Sequence, residues 1–515
     1  MFMIIRELSI TLFILTLVGC GTVTMNQNPA LLSTTHGYAI IHFPRTAGNL
    51  IVRSQNQKKY SFGYKSGVNS YGLWLPPGKY QLEVISYRDR SNKLEGFPDF
   101  EIKQSQLTNL GSLVDVNIGK DKIIWLPKIF TFNEDLVQDT LQTNNAYFKN
   151  KDVIEWSPTE IPLPSKLKRR NSGLGLVVDW IMMGIDKSNE SALRKKLIKA
   201  KSIDDLYEIF LKLTPPLNYQ KPAVDDKFNL YYGGELGQIK KRSINGSWVT
   251  INTNNTKPIT AVAWHKNVLL AGNVAGKILM SKNSGKTWEQ FILLSKNEIV
   301  FDLDIINNTL YIVTGKPDFE NKLNIKGLLA NIYITDIDKM GVPKLIKSVE
   351  YSNIKPRAES YGNWYIFGNG PDYLVKMDIE SGLWYSIKTP ANYNSFHVSA
   401  HNGIITLFST NGGSSNVYIS TDYGISWEKR KAPPYQINDV YFNDFKNGIA
   451  YTVSFSGNYI FEYNENKNKW ARLVKVADEC KYLMSDFIYD SISCFTNNGE
   501  ILTLSNKKWE LEPYM

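Results

Sequence analysis

Residues whose types and spacing could carry chemistry lie mainly in the second half of the sequence. His397 and His401, in HVSAH, are four residues apart, the spacing at which two histidines on one helix face bind a metal ion. The surrounding residues indicate strands rather than a helix, and side chains four residues apart on a strand are separated by about 13 Å. We therefore expect both histidines to be ordinary surface or core residues.

Two aspartate pairs have the alternate spacing of calcium-binding loops. Asp302 and Asp304 lie in FDLD, and Asp336 and Asp338 lie in TDIDKMG. Calcium takes about six to eight oxygen ligands, and neither stretch supplies the remaining ones. The sequence also has no Ser-His-Asp, phosphate-loop or Cys₂His₂ pattern. It therefore predicts no metal, no cofactor and no catalytic residue.

One short phrase occurs twice, as SKNSGKTW at 281–288 and as STDYGISW at 420–427. An Asp or Asn at its third position can accept backbone N–H groups across a turn, and its glycine can take a positive φ. Its tryptophan can fold back as an apolar plug. The residues concerned are Ser281, Asn283, Gly285 and Trp288 in the first copy and Ser420, Asp422, Gly424 and Trp427 in the second.

The phrase belongs to an internal repeat that begins near residue 222. The repeat units end at Trp248, Trp288, Trp384, Trp427, Trp470 and Trp509, at spacings of 40, 96, 43, 43 and 39 residues. The wide gap holds two units, with Leu345 where a tryptophan would stand, which makes seven units in all. Four short strands in about 40–45 residues are typical of β-propeller blades. The first unit lacks a clear innermost strand, which VDDKFNLYYGG or another segment must supply.

STDYGISW resembles the Asp-box, S/T-x-D-x-G-x-T/S-W, of BNR-repeat propellers such as sialidases, sortilin-like receptors and photosystem II assembly-factor-like proteins. The resemblance implies a turn between the third and fourth strands of a blade, at the periphery and away from any substrate. Six units keep a tryptophan whereas only Asp422 keeps the charge, with Asn283 replacing it in the other copy. Packing is therefore the requirement that the units share, and the phrase is predicted to have a structural role and not to form a functional site.

A sialidase-like site needs three arginines around the substrate carboxylate, a Tyr–Glu nucleophile pair and an acid/base Asp. The repeat region has four arginines: Arg242, Arg357, Arg430 and Arg472. The last two follow unit-ending tryptophans and so belong to outer strands. The sequence therefore predicts a protein that is not an enzyme. The alternative is a hydrolase or lyase acting on cell-surface glycan, which a carboxylate pair converging on one end of the propeller axis would favour.

The amino-terminal stretch MFMIIRELSITLFILTLVGCG has Arg6, an apolar run at 8–18 and small residues around Cys20. The run is shorter than the ~20 apolar residues of a membrane-spanning helix and has the layout of a secretory signal. LVGC resembles the lipobox of bacterial lipoproteins, which implies cleavage before Cys20 and lipids on its thiol and new amino terminus. Gly21 replaces the Asp that commonly retains such proteins at the inner membrane, which favours the outer membrane. The alternative is an uncleaved short anchor.

Between the signal and the repeat, three segments differ in character. Residues 20–35 read as a tether, and short alternating strands at 36–128 predict a β-sandwich. In that domain LWLPPGKYQLEV resembles the hairpin of transthyretin-like or PEGA-like sandwiches. Residues 129–221 read as a linker and helical spacer, with amphipathic helices predicted at 188–200 and 202–213. The spacer packs between domains or, alternatively, docks on a membrane or partner.

Composition agrees with a mainly β, folded protein outside the cytoplasm. The 515 residues allow two or three domains, and 12% are aromatic. The net charge of +10 is spread along the chain apart from KLKRR at 166–170, and it suits anionic lipid headgroups better than nucleic acid in an exported protein. Cys480 and Cys494 flank a predicted hairpin turn, so they form a disulfide or remain as two buried thiols.

These observations predict a small β-sandwich, a helical spacer and a seven-bladed propeller at 222–515. The expected function is that of a membrane-anchored, non-catalytic binding or assembly-scaffold lipoprotein. The propeller would bind a protein or glycan partner, and the lipid anchor would attach the protein to the membrane.

Overall fold

The computed structural model describes residues 32–42, 49–62, 70–87, 90–93, 99–117, 123–128, 137, 141, 148, 153–156, 203–214, 216–217, 221–255, 257–294, 298–318, 326–339, 341–350, 357–368, 373–399, 402–411, 414–442, 444, 446–454, 456–477, 480–486, 491–496 and 501–512. Regular structure in this part of the chain is mainly β, as the composition predicted. The described residues up to Tyr207 form one compact unit, and those from Glu208 onward form a second.

The first unit contains two five-stranded sheets. One has the order β10-β8-β1-β4 with β9 beside β8, and the other has the order β3-β2-β5-β6 with β7 beside β5. Strand β8 pairs in parallel with β1 and β10, and the other pairs are antiparallel. The strands are β1 Gly37–His42, β2 Asn49–Ser54, β3 Lys59–Phe62, β4 Ser70–Leu75, β5 Gly78–Tyr87, β6 Arg90–Lys93, β7 Phe100–Ile102, β8 Leu107–Asn117, β9 Ile123–Lys128 and β10 Val153–Glu155.

The two sheets share one hydrophobic core, because alternate residues of their strands point to a common interior. Leu75 of β4 and Leu82 of β5 both belong to that core and are fully buried. The Pro76-Pro77-Gly78 joint was expected to close a hairpin, but β4 and β5 lie in different sheets. Proline has no N–H to donate to a strand ladder, and Gly78 has a φ of 147°, so the chain crosses here from one sheet to the other.

The first sheet also extends into the stretch that the sequence assigned to the spacer. Strand β10 pairs with β8 through Val153 and Leu107. Trp156, which directly follows β10, is buried in the shared core and donates its indole N–H to the carbonyl of Asp99 at 3.1 Å. One short strand and one tryptophan after a long polar stretch give too weak a periodicity to be recognised in sequence.

One helix of the predicted spacer is described. Helix α1, Ile203–Leu213, coincides with the amphipathic stretch at 202–213, whereas the helix predicted at 188–200 lies outside the described residues. Within the second unit, the buried Lys240 donates from Nζ to the carbonyls of Leu211 and Lys212 at 2.7 and 3.3 Å, at the carboxyl end of α1 where a cation is favoured. Among the described residues, no helix has the length and apolar character to span a membrane.

The second unit contains seven four-stranded antiparallel sheets, called ring sheets 1 to 7 in chain order. Ring sheet 1 consists of β11 Ala223–Val224, β12 Leu230–Gly233, β13 Gln238–Arg242 and β14 Trp248–Asn252. Ring sheet 2 consists of β15 Ile259–His265, β16 Val268–Asn273, β17 Lys277–Ser281 and β18 Glu289–Leu293. Ring sheet 3 consists of β19 Ile299–Ile306, β20 Thr309–Asp318, β21 Lys326–Asp336 and β22 Lys344–Glu350. Ring sheets 4 and 5 are β23 Arg357–Tyr361, β24 Trp364–Gly368, β25 Tyr373–Asp378, β26 Trp384–Lys388; β27 Ser395–Val398, β28 Ile405–Asn411, β29 Ser414–Ser420, β30 Glu428–Arg430. Ring sheets 6 and 7 are β31 Gln436–Phe442, β32 Gly448–Ser454, β33 Gly457–Asn464, β34 Lys469–Lys475; β35 Cys480–Asp486, β36 Ser491–Thr496, β37 Ile501–Ser505, β38 Lys508–Leu511.

Each ring sheet packs on the next, and the last packs on the first. Six hydrophobic clusters join consecutive sheets, and a seventh joins Leu230 and Trp248 of ring sheet 1 to Phe495 and Ile501 of ring sheet 7. The first strands of ring sheets 1 to 6 lie side by side, so they are the innermost strands. The second unit is therefore a propeller-like ring of sheets.

The tryptophan spacing identified the fourth strand of each sheet. Trp384 begins β26, Trp427 directly precedes β30, and Leu345 lies in β22 where the sequence placed a substitute for tryptophan. The missing innermost strand of ring sheet 1 is β11, Ala223–Val224. It escaped recognition because two paired residues carry no period-2 pattern.

Candidate binding site on the innermost strands

The repeated phrase lies in the turn between the third and fourth strands of ring sheets 2 and 5. In ring sheet 5, Asp422 Oδ1 accepts the N–H of Ser426 at 2.9 Å and the hydroxyl of Ser420 at 2.7 Å. Burial opposes ionisation, but the hydrogen bonds from Ser426 and Ser420 outweigh it and lower the pKa of Asp422 to about 2. These bonds hold the turn in one conformation.

The same turn in ring sheet 2 is built without a charge. Asn283 Oδ1 accepts the N–H of Thr287 at 2.9 Å, and the Ser281 hydroxyl donates to the same oxygen at 3.0 Å. Asn283 Nδ2 donates to the Thr287 hydroxyl at 2.7 Å, which replaces the bond from Ser426 to Asp422 in the other copy. An amide therefore reproduces the hydrogen-bond pattern of the carboxylate.

The glycines of both turns are required by conformation and by space. Gly285 and Gly424 have φ of 91° and 85°. A Cβ at Gly424 would lie 2.6 Å from Ile387, and one at Gly285 would lie 2.6 Å from Ile251; both isoleucines lie on the fourth strand of the preceding sheet. The turns therefore pack against neighbouring sheets.

The tryptophans of both turns are partly buried between two sheets. Trp288 packs on the cluster shared by ring sheets 1 and 2, and Trp427 on that shared by ring sheets 4 and 5. Trp288 Nε1 donates to the carbonyl of Gly285 at 3.1 Å, whereas Trp427 Nε1 is buried without a partner among the described residues. Their contribution is apolar packing.

Among the other residues named from sequence, Cys480 and Cys494 lie on β35 and β36 of ring sheet 7 and are joined by a disulfide, with their Cα atoms 5.6 Å apart. Cys494 is fully buried. Cys20 and His401 lie outside the described residues. Asp336 and Asp338 lie at the turn after β21, where the Asn308 side chain donates to both carboxylates at 3.4 and 2.7 Å.

Charged side chains that are far apart in sequence meet on the innermost strands of ring sheets 3 and 4. Asp304 of β19 accepts from the ammonium of Lys221, which precedes β11, at 2.5 Å. Lys221 Nζ is also 3.8 Å from Glu359 Oε2 of β23. Glu359 Oε1 in turn accepts from both Nε and Nη2 of Arg357, at 2.7 and 2.6 Å. Four charges thus form one continuous network.

The network continues onto ring sheets 5 and 6. His397 of β27 is buried, and its Nε2 is 2.7 Å from Oδ1 of Asp439 on β31. Burial opposes ionisation of Asp439, but the His397 interaction and then the charge of Arg357 keep the pKa of Asp439 below its ordinary value. We call Lys221, Asp302, Asp304, Arg357, Glu359, His397 and Asp439 the inner-strand charge cluster.

Two aspartates of this cluster follow β-bulges. The strand register shifts just before Asp302 in β19 and just before Asp439 in β31. Each carboxylate then accepts the N–H of the next residue, Leu303 at 2.9 Å and Val440 at 3.0 Å. Asp302 Oδ2 also accepts the N–H of Ala358 from the neighbouring sheet at 3.2 Å. Bulges re-aim side chains and are frequent beside functional sites.

The cluster perturbs the proton affinity of its members. Burial and then the charge of Asp304 raise the pKa of Asp302 to about 7. Burial opposes the charge of Glu359, yet Arg357 and Lys221 lower its pKa. Burial likewise opposes the charge of Lys221, but Asp304 and Glu359 raise the pKa of its ammonium. At neutral pH this part of the protein therefore holds paired charges beside a carboxyl that is only partly ionised.

Two buried oxygens facing the cluster have no partner among the described residues. They are Oδ2 of Asp304 and the hydroxyl of Tyr365, a fully buried residue of β24. Burial, and then the carboxylates of Asp304 and Asp302, raise the pKa of Tyr365, so its hydroxyl faces the acidic side of the cluster. Within the described ranges, no three His, Cys, Asp or Glu side chains are arranged to bind a metal ion.

Sequence analysis named four members of the cluster, Asp302, Asp304, Arg357 and His397, but as isolated residues. Arg357 lies on the innermost strand β23. Lys221, Glu359 and Asp439 were not identified. The available signal was a polar residue on the first strand of several consecutive repeat units, which becomes visible only when those strands are aligned on their bulges.

Comparison with known proteins gives no family for this chain. No protein-family model and no curated protein matches it. Solved structures similar to it include YCF48 from Cyanidioschyzon merolae, at 14% identity and a TM-score of 0.40 over 58% of this chain and 97% of that one. Others are YCF48 bound to D1 peptide (11%, 0.39, 58% and 92%) and the computationally designed Ika8 protein (13%, 0.38, 58% and 87%).

Proposed function

We propose that this chain is a membrane-anchored, non-catalytic binding or assembly-scaffold lipoprotein. A seven-bladed BNR-type propeller holds a partner, and a transthyretin- or PEGA-like sandwich at the amino-terminal side holds the propeller away from the membrane. The observation that carries the binding role is the inner-strand charge cluster. Consecutive innermost strands place their charges at one location, which the packing of the sheets does not require.

The state of the cluster favours binding over catalysis. Lys221 engages Oδ1 of Asp304 at 2.5 Å, and Arg357 engages Glu359 through two nitrogens. A carboxylate committed to an internal ion pair is a poor general base, because its proton affinity is lowered and its lone pairs are occupied. The same pairs hold the charges in fixed positions, which suits recognition of a complementary partner.

The anchoring part of the proposal rests on LVGC at 17–20 and on Gly21. Lipidation of Cys20 would attach acyl chains to the envelope, and several chains hold a protein at a membrane far better than one. Gly21, in place of the Asp that commonly retains lipoproteins at the inner membrane, supports localisation at the outer membrane. A protein or a glycan of the cell envelope is then the accessible class of partner.

The test is chemical crosslinking in intact cells followed by affinity capture of the full-length protein. We expect wild type to capture a defined partner, and the double variant Arg357→Met/Glu359→Gln to lose it. Replacing both members of an ion pair is far less damaging to folding than removing one. Glu462→Gln is the matched control, since this exposed carboxylate lies on the third strand of ring sheet 6. Equal capture by wild type and the double variant would contradict the proposed site.

A second function, hydrolysis or lyase cleavage of cell-surface glycan, is favoured by one observation. Asp302, with its pKa raised to about 7, lies two residues from Asp304 on the same strand, and an acid beside a carboxylate is the arrangement that glycosidases use. Turnover of envelope glycan by wild type that Asp302→Asn and Asp304→Asn each abolish would establish this function. Equal turnover by wild type and both variants would exclude these residues from catalysis.

A further inference from the structure

The inner-strand charge cluster has more negative than positive groups. Its carboxylates belong to Asp302, Asp304, Glu359 and Asp439, and its permanent cations to Lys221 and Arg357. Partial protonation of Asp302 removes part of one negative charge. The carboxylates thus outnumber the permanent cations by two, so an added positive charge is electrostatically favoured at this cluster.

The oxygens that remain open in this cluster are also of one chemical kind. Oδ2 of Asp304 and the Tyr365 hydroxyl are buried without partners, and Oδ2 of Asp439 accepts no hydrogen bond from the described residues. A hydroxyl and two carboxylate oxygens can each accept a hydrogen bond. A ligand group that satisfies them must donate hydrogen bonds, and the excess of carboxylates favours a donor that also carries a positive charge.

We propose that the inner-strand charge cluster is a binding site for an organic cation, an ammonium or guanidinium group carried by a ligand of the propeller. This rests on the proposed binding function and names the chemistry that the site takes. Lys221 illustrates the fit, since its own ammonium lies 2.5 Å from Asp304 Oδ1 and 3.8 Å from Glu359 Oε2.

Other ligand classes fit less well. An anion would meet four carboxylates at short range, which repel it. A divalent metal ion needs several converging oxygen or nitrogen ligands, and the described residues hold no such group of three. The ammonium of Lys221 and the guanidinium of Arg357, interleaved with the carboxylates, would also repel a dication. A single ammonium or guanidinium group carries one positive charge and directs its N–H groups to individual acceptors.

The exposure of the side chains indicates where a cation would enter. Those of Asp439, Lys221 and Arg357 are 35%, 30% and 26% exposed, whereas those of Asp304 and Glu359 are only 10% exposed. Asp439 is therefore the carboxylate that an incoming cation meets first. Lys221 competes with it for the deeper carboxylates.

The experiment measures binding of a fluorescent tetralysine peptide to the full-length protein in detergent, with a tetraglutamate peptide as the probe of opposite charge. We expect tetralysine to bind wild type and tetraglutamate not to bind. Asp439→Asn keeps an oxygen that can accept from His397 and should weaken tetralysine binding by about tenfold or more. Glu462→Gln, the exposed control on the same ring sheet, should bind as wild type does.

A second variant tests the proposal in the opposite direction. Lys221→Met removes the internal competitor, so it should bind tetralysine more tightly than wild type by about tenfold. A merely structural role of the cluster would not increase affinity. Thermal melting of each variant verifies that it is folded. Competition by putrescine at the same charge concentration identifies a free diamine as the ligand type, whereas competition by lysine-containing peptides alone identifies a protein side chain.

Tetralysine affinity that is unchanged in both Asp439→Asn and Lys221→Met, or the absence of any tetralysine binding, would overturn the cation site. The capture experiment separates this outcome from failure of the proposed function. Equal capture of an envelope partner by wild type and Asp439→Asn would leave the binding function in place and reject the cation site. Absence of a captured partner, together with tetralysine binding that depends on Asp439, would support the cation site and contradict the proposed binding function.

Discussion

Trp248 donates its indole N–H to the carboxylate of Glu512 at 2.5 Å, across 264 residues of sequence. Arg242 adds a second bond to the same carboxylate, from Nη2 to Oε1 at 2.6 Å. Trp248 begins the fourth strand of ring sheet 1, and Glu512 directly follows the last strand of ring sheet 7. One buried carboxylate therefore ties the first sheet of the ring to the last.

Removal of this carboxylate should weaken ring closure. Glu512→Ala leaves the Trp248 indole and the Arg242 guanidinium without their acceptor, so we expect a loss of about 2–4 kcal/mol in the free energy of unfolding. Denaturant titration of the purified protein measures this. Glu510→Ala is the matched control, because this exposed residue lies on the last strand, two positions before Glu512, and should change stability by less than about 0.5 kcal/mol. Equal stability of the two variants would show that the ring closes without the Glu512 contacts.

The Asp-box-like turn should depend more on its tryptophan than on its aspartate. Trp427→Ala removes a large apolar side chain between ring sheets 4 and 5, at a cost of about 3 kcal/mol for a partly buried site. Asp422→Ala removes local hydrogen bonds of an exposed turn, at about 1–2 kcal/mol. Thermal melting should rank the variants in this order.

Two further measurements test whether these turns have a structural role or take part in partner binding. Trp288→Ala should behave like Trp427→Ala, although Asn283 replaces the aspartate in that turn. All variants that remain folded should keep their partner affinity, since the turns pack on neighbouring sheets. If Asp422→Ala melted at the wild-type temperature but no longer bound the partner, the turn would be part of the binding site and not only a structural element.

The raised pKa of Asp302 predicts a specific pH dependence of stability. Its carboxyl holds a proton up to about pH 7 in the folded protein, but only to about pH 4 when unfolded. The folded state binds more protons between these values, so this contribution to stability is complete below pH 4 and is lost as pH rises through 7. Asp302→Asn stays uncharged, so the fall in unfolding free energy from pH 5 to 8.5 should be smaller by roughly 2 kcal/mol.

Denaturant titrations at the two pH values, on wild type and Asp302→Asn, measure this difference. Asp226→Asn serves as the control, because its side chain is exposed in the turn that follows β11. It should leave the pH profile as it is in wild type. An identical profile for Asp302→Asn and wild type would mean that Asp302 ionises normally in the folded protein.

The disulfide of ring sheet 7 should contribute to the stability of the protein. Closing a loop of about 15 residues restrains the unfolded chain by about 3 kcal/mol in the chain-entropy treatment. Cys480→Ala/Cys494→Ala should therefore unfold at lower denaturant concentration than oxidised wild type. Intact-mass analysis after alkylation without reductant reports the bond directly, and two alkylated thiols on the exported protein would show that it does not form there.

The lipobox-like sequence predicts that anchoring depends on one atom, the thiol of Cys20. Cys20→Ser should leave the protein unprocessed or release it into the soluble periplasmic fraction. Fractionation and metabolic labelling with a fatty acid measure the change. A variant that stays with the outer membrane, at wild-type size and with wild-type lipid labelling, would contradict lipidation at this position.

The repeat and the helix at 203–213 were predictable from local patterning, whereas the shortest strands were not. Trp384 and Trp427 recur at nearly constant spacing, so their positions in the sequence indicate the fourth strands and the propeller-like ring. Strand β11 has two residues and β10 has three, which is too short for a period-2 pattern. Pro76-Pro77-Gly78 indicated the break between β4 and β5, but not that the chain crosses there between two sheets.

The mainly β structure, the repeat and the structural role of the turn at 420–427 could therefore be predicted from the sequence alone, because each depends on local patterning. The tertiary structure alone decided which charges meet. Lys221, Asp304, Glu359 and Asp439 are separated by up to 218 residues, and no local pattern relates them. They come together because sheet packing sets the first strands of successive repeat units side by side, and because bulges before Asp302 and Asp439 turn those carboxylates to accept backbone N–H groups.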